Sequence, residues 1–377
     1  MQLFPFYLHA LRIARENLRN ISVCKDGSGC YNEDMNREND FYAAKFNSIQ
    51  ALRGIAALFV VLEHIRFLNC GAFGVDIFFC ISGFMILFST QKSTDHFLSK
   101  RLIRIVPFYW LMTLVTYALL LLAPGLFAQT KADPVLLVKS LFFIPFNIGG
   151  GLFQPLLRIG WTINCEIFFY ILFYISFKIS HKYRGLICSG LLMLTVLLAA
   201  LFPSVSPFLS FYGDPVMLEF ILGMMAQHIC HRLYTLHMSG KLPRLLLTFS
   251  FITATLCFTG LLVTRQYADA IGFRRPILWG LPALVILLCF FLIGLHRNMP
   301  GALTRLGDIS FSLYLIHYYP VTFLDRKVFD FSAASPRAFF GVAVCFAVST
   351  VLALFGYEII EKRFSGWLRR KLLKPHR

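Results

Sequence analysis

The chain has 377 residues, of which 57% are hydrophobic and 15% are charged. Because an ordinary soluble domain is about 25% charged, this composition excludes a water-soluble globular protein. The formal net charge of +17 would suggest nucleic-acid binding, but no such motif is present, and the basic residues lie in short segments between long apolar runs. We therefore expect a membrane protein whose positive charge reflects its orientation and its contacts with anionic lipids.

Residues 1–47 precede the apolar region and are predicted to form a cytoplasmic N-terminal extension. The stretch from Leu3 to Leu18 has the pattern of an amphipathic helix, and a polar stretch follows from Lys25 to Asp40. The extension is too polar for a cleavable signal peptide. We expect it to take no part in catalysis.

About ten apolar segments of membrane-spanning length follow. They cover residues 48–67, 71–90, 105–123, 161–180, 185–203, 215–233, 244–264, 276–295, 308–324 and 338–358. A shorter apolar piece, 135–148, is too short to span and is expected to be re-entrant or interfacial. The chain is thus predicted to be an all-α bundle of about ten transmembrane helices.

The orientation of the bundle follows from its basic residues. Lys and Arg are about twice as frequent in the loops on the side of the C-terminal tail as in the opposite loops. An even number of spans places both termini on one side of the membrane. The positive-inside rule therefore predicts that both termini are cytoplasmic.

The first span contains Arg53 and His64, which lie on one helix face because eleven residues correspond to about three turns plus 20°. They are separated by about 16 Å along the helix axis. An anion-binding arginine and a proton-transferring histidine on one face suit a substrate that extends partway through the membrane. An interfacial arginine with an unrelated histidine explains the spacing equally well.

The second span places Asp76 near the same side of the membrane as His64, after a short loop. We predict that this carboxylate orients the His64 imidazole, although a structural hydrogen bond to nearby backbone is an alternative. The glycines Gly71, Gly74 and Gly83 are expected to allow close helix packing.

Arg101 and Arg104 precede the third span at i and i+3, on one helix face. Two guanidinium groups there are suited to binding phosphates, although spacing alone favours an ordinary positive-inside anchor. Glu166, near the start of the fourth span, is a candidate general acid or base. Further ionisable candidates within spans are Glu219, His317 and Glu358.

Five motifs now stand in order along the chain. They are Arg53-x10-His64, a glycine-rich motif from Gly71 to Phe84, Arg101-x2-Arg104 with Pro107, Trp161-Thr162-x3-Glu166, and Ser312-x-Tyr314-Leu315-x-His317. In this order they resemble the acyltransferase-3 family of membrane acyltransferases, which modify sugars of lipopolysaccharide, exopolysaccharide and peptidoglycan. The resemblance covers about residues 48–364, which leaves 365–377 as a basic cytoplasmic tail. It is most similar to exopolysaccharide O-acetyltransferases.

The resemblance implies an enzyme of the bacterial inner (plasma) membrane. Its donor would be cytoplasmic acetyl-CoA, and its acceptor a sugar hydroxyl of a cell-surface or lipid-linked polysaccharide. Membrane lipids and proteins of polysaccharide synthesis or export are the other implied partners, and no metal is implied. Some family members carry a fused extracytoplasmic esterase-like domain. Because the resemblance ends near residue 364, we expect transfer to finish within the membrane domain or on a separate partner.

The resemblance also implies roles for the candidate residues. His64 would be the catalytic base or a transient acyl acceptor, with Asp76 and Glu166 as further catalytic residues. The substrate-binding residues would be Arg53, Arg101, Arg104, Trp161, Tyr314 and His317.

Two other functions remain open from the residues themselves. One is a transporter or flippase for a glycolipid or an exopolysaccharide unit, which would need a substrate cavity but no histidine opposite a thioester. The other is a structural subunit of a polysaccharide synthesis complex. The presence of Arg53, His64, Asp76 and Glu166 together favours the acyltransferase.

Overall fold

The computed structural model describes residues 40–91, 95–123, 132–147, 153–203, 205–265 and 274–373. The amphipathic helix predicted from Leu3 to Leu18 and the last residues of the basic tail lie outside this part of the chain. The described residues are almost entirely helical, and their one β-bridge, between Asn147 and Phe153, is isolated. The predicted all-α class is therefore confirmed.

The helices follow one another with short connections. In the first part of the chain they are α1 (Asn47–Glu63), α2 (Gly74–Ser89), α3 (Phe97–Leu122), α4 (Pro134–Leu141), α5 (Trp161–Ile179), α6 (Arg184–Leu201), α7 (Pro207–Tyr212) and α8 (Leu218–Met238). They continue as α9 (Leu245–Thr264), α10 (Leu281–His296), α11 (Gly301–Asp308), α12 (Ser310–Ile316), α13 (Tyr318–Leu324), α14 (Pro336–Gly356) and α15 (Ser365–Leu372). Wider π-helical turns occupy Pro276–Gly280, Asp325–Phe329 and Tyr357–Phe364.

The described residues divide into two units. The smaller comprises residues 40–45 and 231–242, where the rings of Phe41 and Tyr42 pack against His231 at centroid distances of 5.0 and 5.7 Å. The larger comprises residues 46–230 and 243–373 and contains all of the candidate site residues.

Six helices in the described residues are long and apolar enough to cross a membrane. They are Phe97–Leu122, Arg158–Ile179, Arg184–Leu201, Leu245–Thr264, Pro276–His296 and Pro336–Leu372. Helices also lie at the four other predicted spans, but they do not combine the length and apolar character of these six. Helices α1 and α2 have only 17 and 16 residues, and α8 carries several polar side chains. The last of the four, 308–324, is divided into short helices. The protein is an integral membrane protein, whereas the count of ten spans stays a prediction.

The division of 308–324 has an identifiable cause. Pro320 has no N–H to donate to the carbonyl of Ile316 four residues earlier, and α12 ends at that residue. His317 therefore lies at the junction of α12 and α13, where its side chain is fully buried.

Glycines bring helix backbones into direct contact around α1 and α2. A Cβ on Gly83 of α2 would lie 2.1 Å from the carbonyl oxygen of Phe220 in α8, and one on Gly223 would lie 2.0 Å from that of Cys80. In the same way a Cβ on Gly74 would lie 2.6 Å from the carbonyl oxygen of Ala56 in α1. The packing role predicted for the glycines of the second span is confirmed, since no larger residue fits these crossings.

The α2–α8 crossing generates the first prediction. Gly83→Ala should force the two helices apart and lower the free energy of unfolding by about 1–3 kcal/mol, as overpacking does elsewhere. Gly190→Ala is the matched control, because a Cβ at Gly190 in the middle of α6 meets nothing within 4 Å. Thermal unfolding of the purified protein in detergent compares the two. An equal melting temperature for both variants would contradict the close contact at Gly83.

Candidate active site

His64 ends α1 and presents one ring nitrogen for chemistry. Its Nδ1 lies 2.9 Å from the carbonyl oxygen of Val60. Because a carbonyl oxygen only accepts hydrogen bonds, Nδ1 must carry the ring proton. In the neutral imidazole Nε2 then holds a lone pair, so the chain's own geometry selects the tautomer in which Nε2 is the base.

His317 lies beside the Nδ1–H group of His64. The Nδ1 of His317 lies 3.1 Å from the carbonyl oxygen of Leu313, so this nitrogen also carries its ring proton and leaves Nε2 as an acceptor. That Nε2 lies 3.3 Å from Nδ1 of His64, and the two rings meet edge to face with centroids 4.9 Å apart. The Nδ1–H of His64 is thus shared between Val60 and His317, which fixes both the tautomer and the ring orientation.

The loop after His64 is held by the preceding residue. The carboxylate of Glu63 accepts hydrogen bonds from the backbone N–H groups of Gly71 and Ala72, at 2.7 and 2.8 Å. These bonds tie the end of α1 to the segment that leads into α2. His64 is therefore positioned by contacts on both sides, although its own side chain is only half-buried.

A cavity of about 100 Å³ lies among α1, α2, α3, α5 and α12. Five of the predicted site residues line it, namely Arg53, Arg101, Arg104, Glu166 and Tyr314. Three arginines and one glutamate give its wall a positive charge, while Val75, Phe78 and Phe79 supply an apolar side. The cavity is suited to a ligand that combines an anionic portion with an apolar or thin neutral portion.

Arg53 reaches the cavity from α1 and is fixed at its base. Its Nη1 donates to Oε1 of Gln50 at 3.3 Å, and Nε2 of Gln50 donates to Asp308 of α11 at 2.8 Å. Arg53 also lies close enough to Arg104 for the two like charges to repel each other. An anion placed between these guanidinium groups would remove that repulsion.

Arg101 is held by its neighbours in one orientation. Its Nη2 donates to Oγ of Ser89 at 2.7 Å, and its guanidinium group lies over the rings of Tyr170 and Phe97 at 5.4 and 5.9 Å. Arg101 and Arg104 both line the cavity, as their same-face spacing predicts. A guanidinium group stacked on aromatic rings is preorganised for binding an anion.

Glu166 is the carboxylate of the cavity wall. Its Oε1 accepts hydrogen bonds from Oγ of Ser82, at 3.2 Å, and from the hydroxyl of Tyr170. The bond from Ser82 connects α5 to α2, whereas Tyr170 lies one turn farther along α5 itself, and both bonds fix the carboxylate in the wall that also contains the arginines. Glu166 is therefore placed to balance part of their charge or to contact a substrate hydroxyl.

Tyr314 connects the cavity to the histidine pair. Its hydroxyl donates to the carbonyl oxygen of Ile159 at 2.6 Å and lies 2.6 Å from Oγ of Thr162, which ties α12 to the start of α5. Its ring lies 6.0 Å from that of His317. Trp161 is not part of the wall and instead packs edge to face on Phe79, at 6.3 Å.

Asp76 does not bond to His64, contrary to the sequence prediction. Its two oxygens each accept a hydrogen bond of 3.0 Å from the guanidinium group of Arg275, whose planar fork matches a carboxylate. The buried Glu219 also lies 4.0 Å from Arg275. Asp76 thus joins α2 to the residues before α10, and His317 occupies the place next to His64 that was expected for Asp76.

Sequence reasoning missed a second carboxylate near the arginines. Glu361 accepts a hydrogen bond from Ser312 and lies close enough to Arg53 and Arg104 to interact with both. Glu358, one of the further ionisable candidates within the predicted spans, pairs instead with Lys362 at 3.0 Å on the exposed side. The π-helical turn at Tyr357–Phe364 changes which residues face the bundle, and an α-helical period could not reveal this.

Among the described residues, no group of His, Cys, Asp and Glu side chains has an arrangement that could hold a metal ion. The side chains that the structure brings together can provide proton transfer at His64 and electrostatic binding by the arginines.

The cluster of Asp76, Arg275 and Glu219 generates the second prediction. Arg275→Gln leaves two buried carboxylates without a cation and should lower the free energy of unfolding by about 3–5 kcal/mol. Asp76→Asn should lower the free energy of unfolding by a smaller amount, because Arg275 keeps Glu219 as a partner. Thermal unfolding in detergent tests this order. Full stability of Asp76→Asn together with complete loss of activity would show instead that Asp76 acts in the reaction.

Comparison with known proteins identifies the family of the chain. The sequence model of a family described as an acyltransferase domain, acyltransferase-3, matches residues 46–354. The exopolysaccharide production protein ExoZ of Rhizobium meliloti is 28% identical over 310 residues, which cover 78% of this chain and 89% of ExoZ. No solved structure matches the chain.

Two further relatives have names that describe acyl transfer. BcsY of Komagataeibacter xylinus, provisionally named a membrane-bound transacylase, is 26% identical over 86% of this chain and 84% of its own length. YrhL of Bacillus subtilis, provisionally named a peptidoglycan O-acetyltransferase, is 25% identical over 83% of this chain and 54% of its own length. Since the family model covers most of the chain, the protein belongs to the acyltransferase-3 family of membrane acyltransferases.

Proposed function

We propose that this protein transfers an acetyl group, or another short acyl group, from cytoplasmic acyl-CoA to a hydroxyl of a cell-surface or lipid-linked polysaccharide. The observation that carries the proposal is the His64 imidazole, whose Nδ1–H is held by Val60 and His317 and whose Nε2 is left for proton transfer. The name of ExoZ, which concerns exopolysaccharide production, supports a polysaccharide acceptor.

The proposal includes an orientation in the membrane. The bundle has about ten spans and lies in the bacterial inner membrane. Both termini are in the cytoplasm, because the positive-inside rule favours that orientation. Arg101 and Arg104 then lie toward the cytoplasm, where acyl-CoA is present. His64 lies about 16 Å farther along α1 than Arg53, toward the outer side, where a surface polysaccharide is met.

Donor binding follows from the charge of the cavity. Acyl-CoA has an anionic nucleotide portion and a long thin pantetheine arm that ends in the thioester. The arginines of the wall attract the anionic portion, and the arm extends along the apolar side formed by Phe78 and Phe79. It passes Tyr314, which lines the cavity and whose ring lies 6.0 Å from that of His317, and brings the thioester to His64.

The transfer step needs one base and one acid, and His64 serves as both. Nε2 of His64 removes the proton of the acceptor hydroxyl while that oxygen attacks the thioester carbonyl carbon. The new C–O bond forms, the C–S bond breaks, and the coenzyme A sulfur takes the proton from Nε2. While His64 is protonated, its Nδ1–H bond to the neutral His317 becomes charge-assisted and stabilises the cation. Glu166 binds or orients the acceptor hydroxyl.

The third prediction is the direct test of this function. In the native host, His64→Ala should abolish O-acetylation of the polysaccharide, as gene deletion does, while the polymer is still exported. Proton NMR of the purified polysaccharide measures the acetyl content. His228→Ala is a matched control, because His228 makes the same kind of Nδ1 contact, to Met224 at 3.0 Å, on the exposed side of α8.

Two outcomes would overturn parts of the proposal. Normal acetyl content with lost or intracellular polymer in the deletion strain would identify a transporter or flippase. Unchanged acetylation and export in every strain would remove the polysaccharide as the acceptor and direct the search to lipids or small molecules.

The fourth prediction concerns His317 as a positioning residue. His317→Leu removes one of the two acceptors of the His64 Nδ1–H group and leaves the Val60 carbonyl as the other. The variant should lower kcat by about 100-fold with little change in KM for the donor, because the protonated imidazole loses its charge-assisted bond to His317 during proton transfer. His317→Gln replaces the Nε2 acceptor with an amide oxygen and should recover part of the rate. Acetyl transfer by the purified protein measures both. Equal rates for the two variants, or a loss confined to KM, would contradict the positioning role.

A further inference from the structure

We propose that the C-terminal helix α15 forms part of the donor site, with Arg369 and Arg370 binding phosphate groups of the nucleotide end of acyl-CoA. This inference rests on the proposed function and extends it to a segment outside residues 46–354, which the family model matches.

The first observation is the length of the last helix. From Pro336 to Leu372 the chain forms 37 continuous helical residues, which correspond to about 55 Å at 1.5 Å per residue. The hydrocarbon core of a bilayer is about 30 Å thick, so one end of this helix must extend beyond it. The basic end, α15, is the one that projects, and it packs against α3.

The second observation is a basic cavity of about 550 Å³ between α15 and the start of α3. Its basic lining residues are Lys100, Arg101, Arg104, Arg369 and Arg370, and its one acidic lining residue is Asp95. Ser89 and Thr90 at the end of α2 add hydroxyl groups. Five cationic side chains against one carboxylate form a site for a ligand with several negative charges.

The third observation is that these cations repel one another. Arg369 lies close enough to Arg101 and Arg104 for their like charges to interact unfavourably. A polyanion bound among them would turn this repulsion into attraction. Arg101 is already fixed by Ser89 and by stacking on Tyr170, so part of the site is preorganised.

The fourth observation links this cavity to the reaction. Arg101 and Arg104 line both the basic cavity and the inner cavity that contains Arg53 and Glu166. A ligand whose phosphates lie in the basic cavity can therefore direct a thin arm into the inner one. The nucleotide and pantetheine parts of coenzyme A have this division of charge and shape.

Anionic lipids carry phosphate groups with the same chemistry as those of coenzyme A. Basic residues that face different surroundings on α15 allow the two ligands to be distinguished. Lys371, the next residue, does not line the cavity, and its Nζ lies 5.0 Å from the ring centre of the exposed Trp367. A Lys–Trp pair of this kind is typical of a membrane interface. Arg369 and Arg370 are thus assigned to the nucleotide, and Lys371 to the lipid surface.

The fifth prediction tests this assignment with the full-length protein in phosphatidylcholine nanodiscs. The double variant Arg369→Gln/Arg370→Gln should bind coenzyme A about 10- to 100-fold more weakly than the wild type, because charge-assisted bonds to phosphate are lost. Lys371→Gln should bind it normally. Transfer from S-acetylpantetheine, which lacks the nucleotide phosphates, should be unaffected in both variants. The charge-conserving Arg369→Lys/Arg370→Lys variant should retain most of the affinity.

The outcomes separate this inference from the proposed function. If the wild type binds no coenzyme A at all, the proposed donor is wrong. If the wild type and the double glutamine variant bind coenzyme A equally, only the role of α15 is wrong. Equal binding together with weaker association of the double variant with phosphatidylglycerol vesicles would assign Arg369 and Arg370 to lipid headgroups.

Discussion

A charged side chain in the hydrocarbon layer is tolerated only where it meets an opposite charge or a polar cavity, and this constraint organises the bundle. Arg275 holds Asp76 through two hydrogen bonds and lies near Glu219, so α2, α8 and the start of α10 share one charged cluster. The arginines of the inner cavity are only partly balanced by Glu166 and Glu361. The first cluster is a structural contact, whereas the second keeps a positive charge that an anionic ligand can neutralise.

One helix connects the two halves of the proposed chemistry. Arg53 lines the cavity from α1, and His64 ends the same helix beside His317. The segment from Ser310 to Tyr318 runs along both, since Ser310 and Tyr314 line the cavity while the ring of Tyr318 packs against His64 at 5.6 Å. The proposed donor site and the proposed proton-transfer site therefore lie at different positions along one pair of neighbouring segments.

Several parts of this site follow from spacing alone. Residues eleven apart on a helix lie on the same face, so Arg53 and His64 both face the segment from Ser310 to Tyr318. Residues three apart also share a face, so Arg101 and Arg104 both line the cavity. Spacing within a helix says nothing about which other helix lies opposite. The partner of Asp76 is Arg275, 199 residues later in the chain, and no local pattern identifies such a pair.

The sequence by itself determined the membrane class, the helices and the family, because long apolar runs need helical backbone in lipid and five motifs occur in order. The tertiary structure decided which of the ionisable residues meet. It placed His317 rather than Asp76 on His64, and the π-helical turn after Gly356 brought Glu361 rather than Glu358 toward the arginines. These contacts depend on helix rotation and on helix neighbours, which short-range periodicity does not specify.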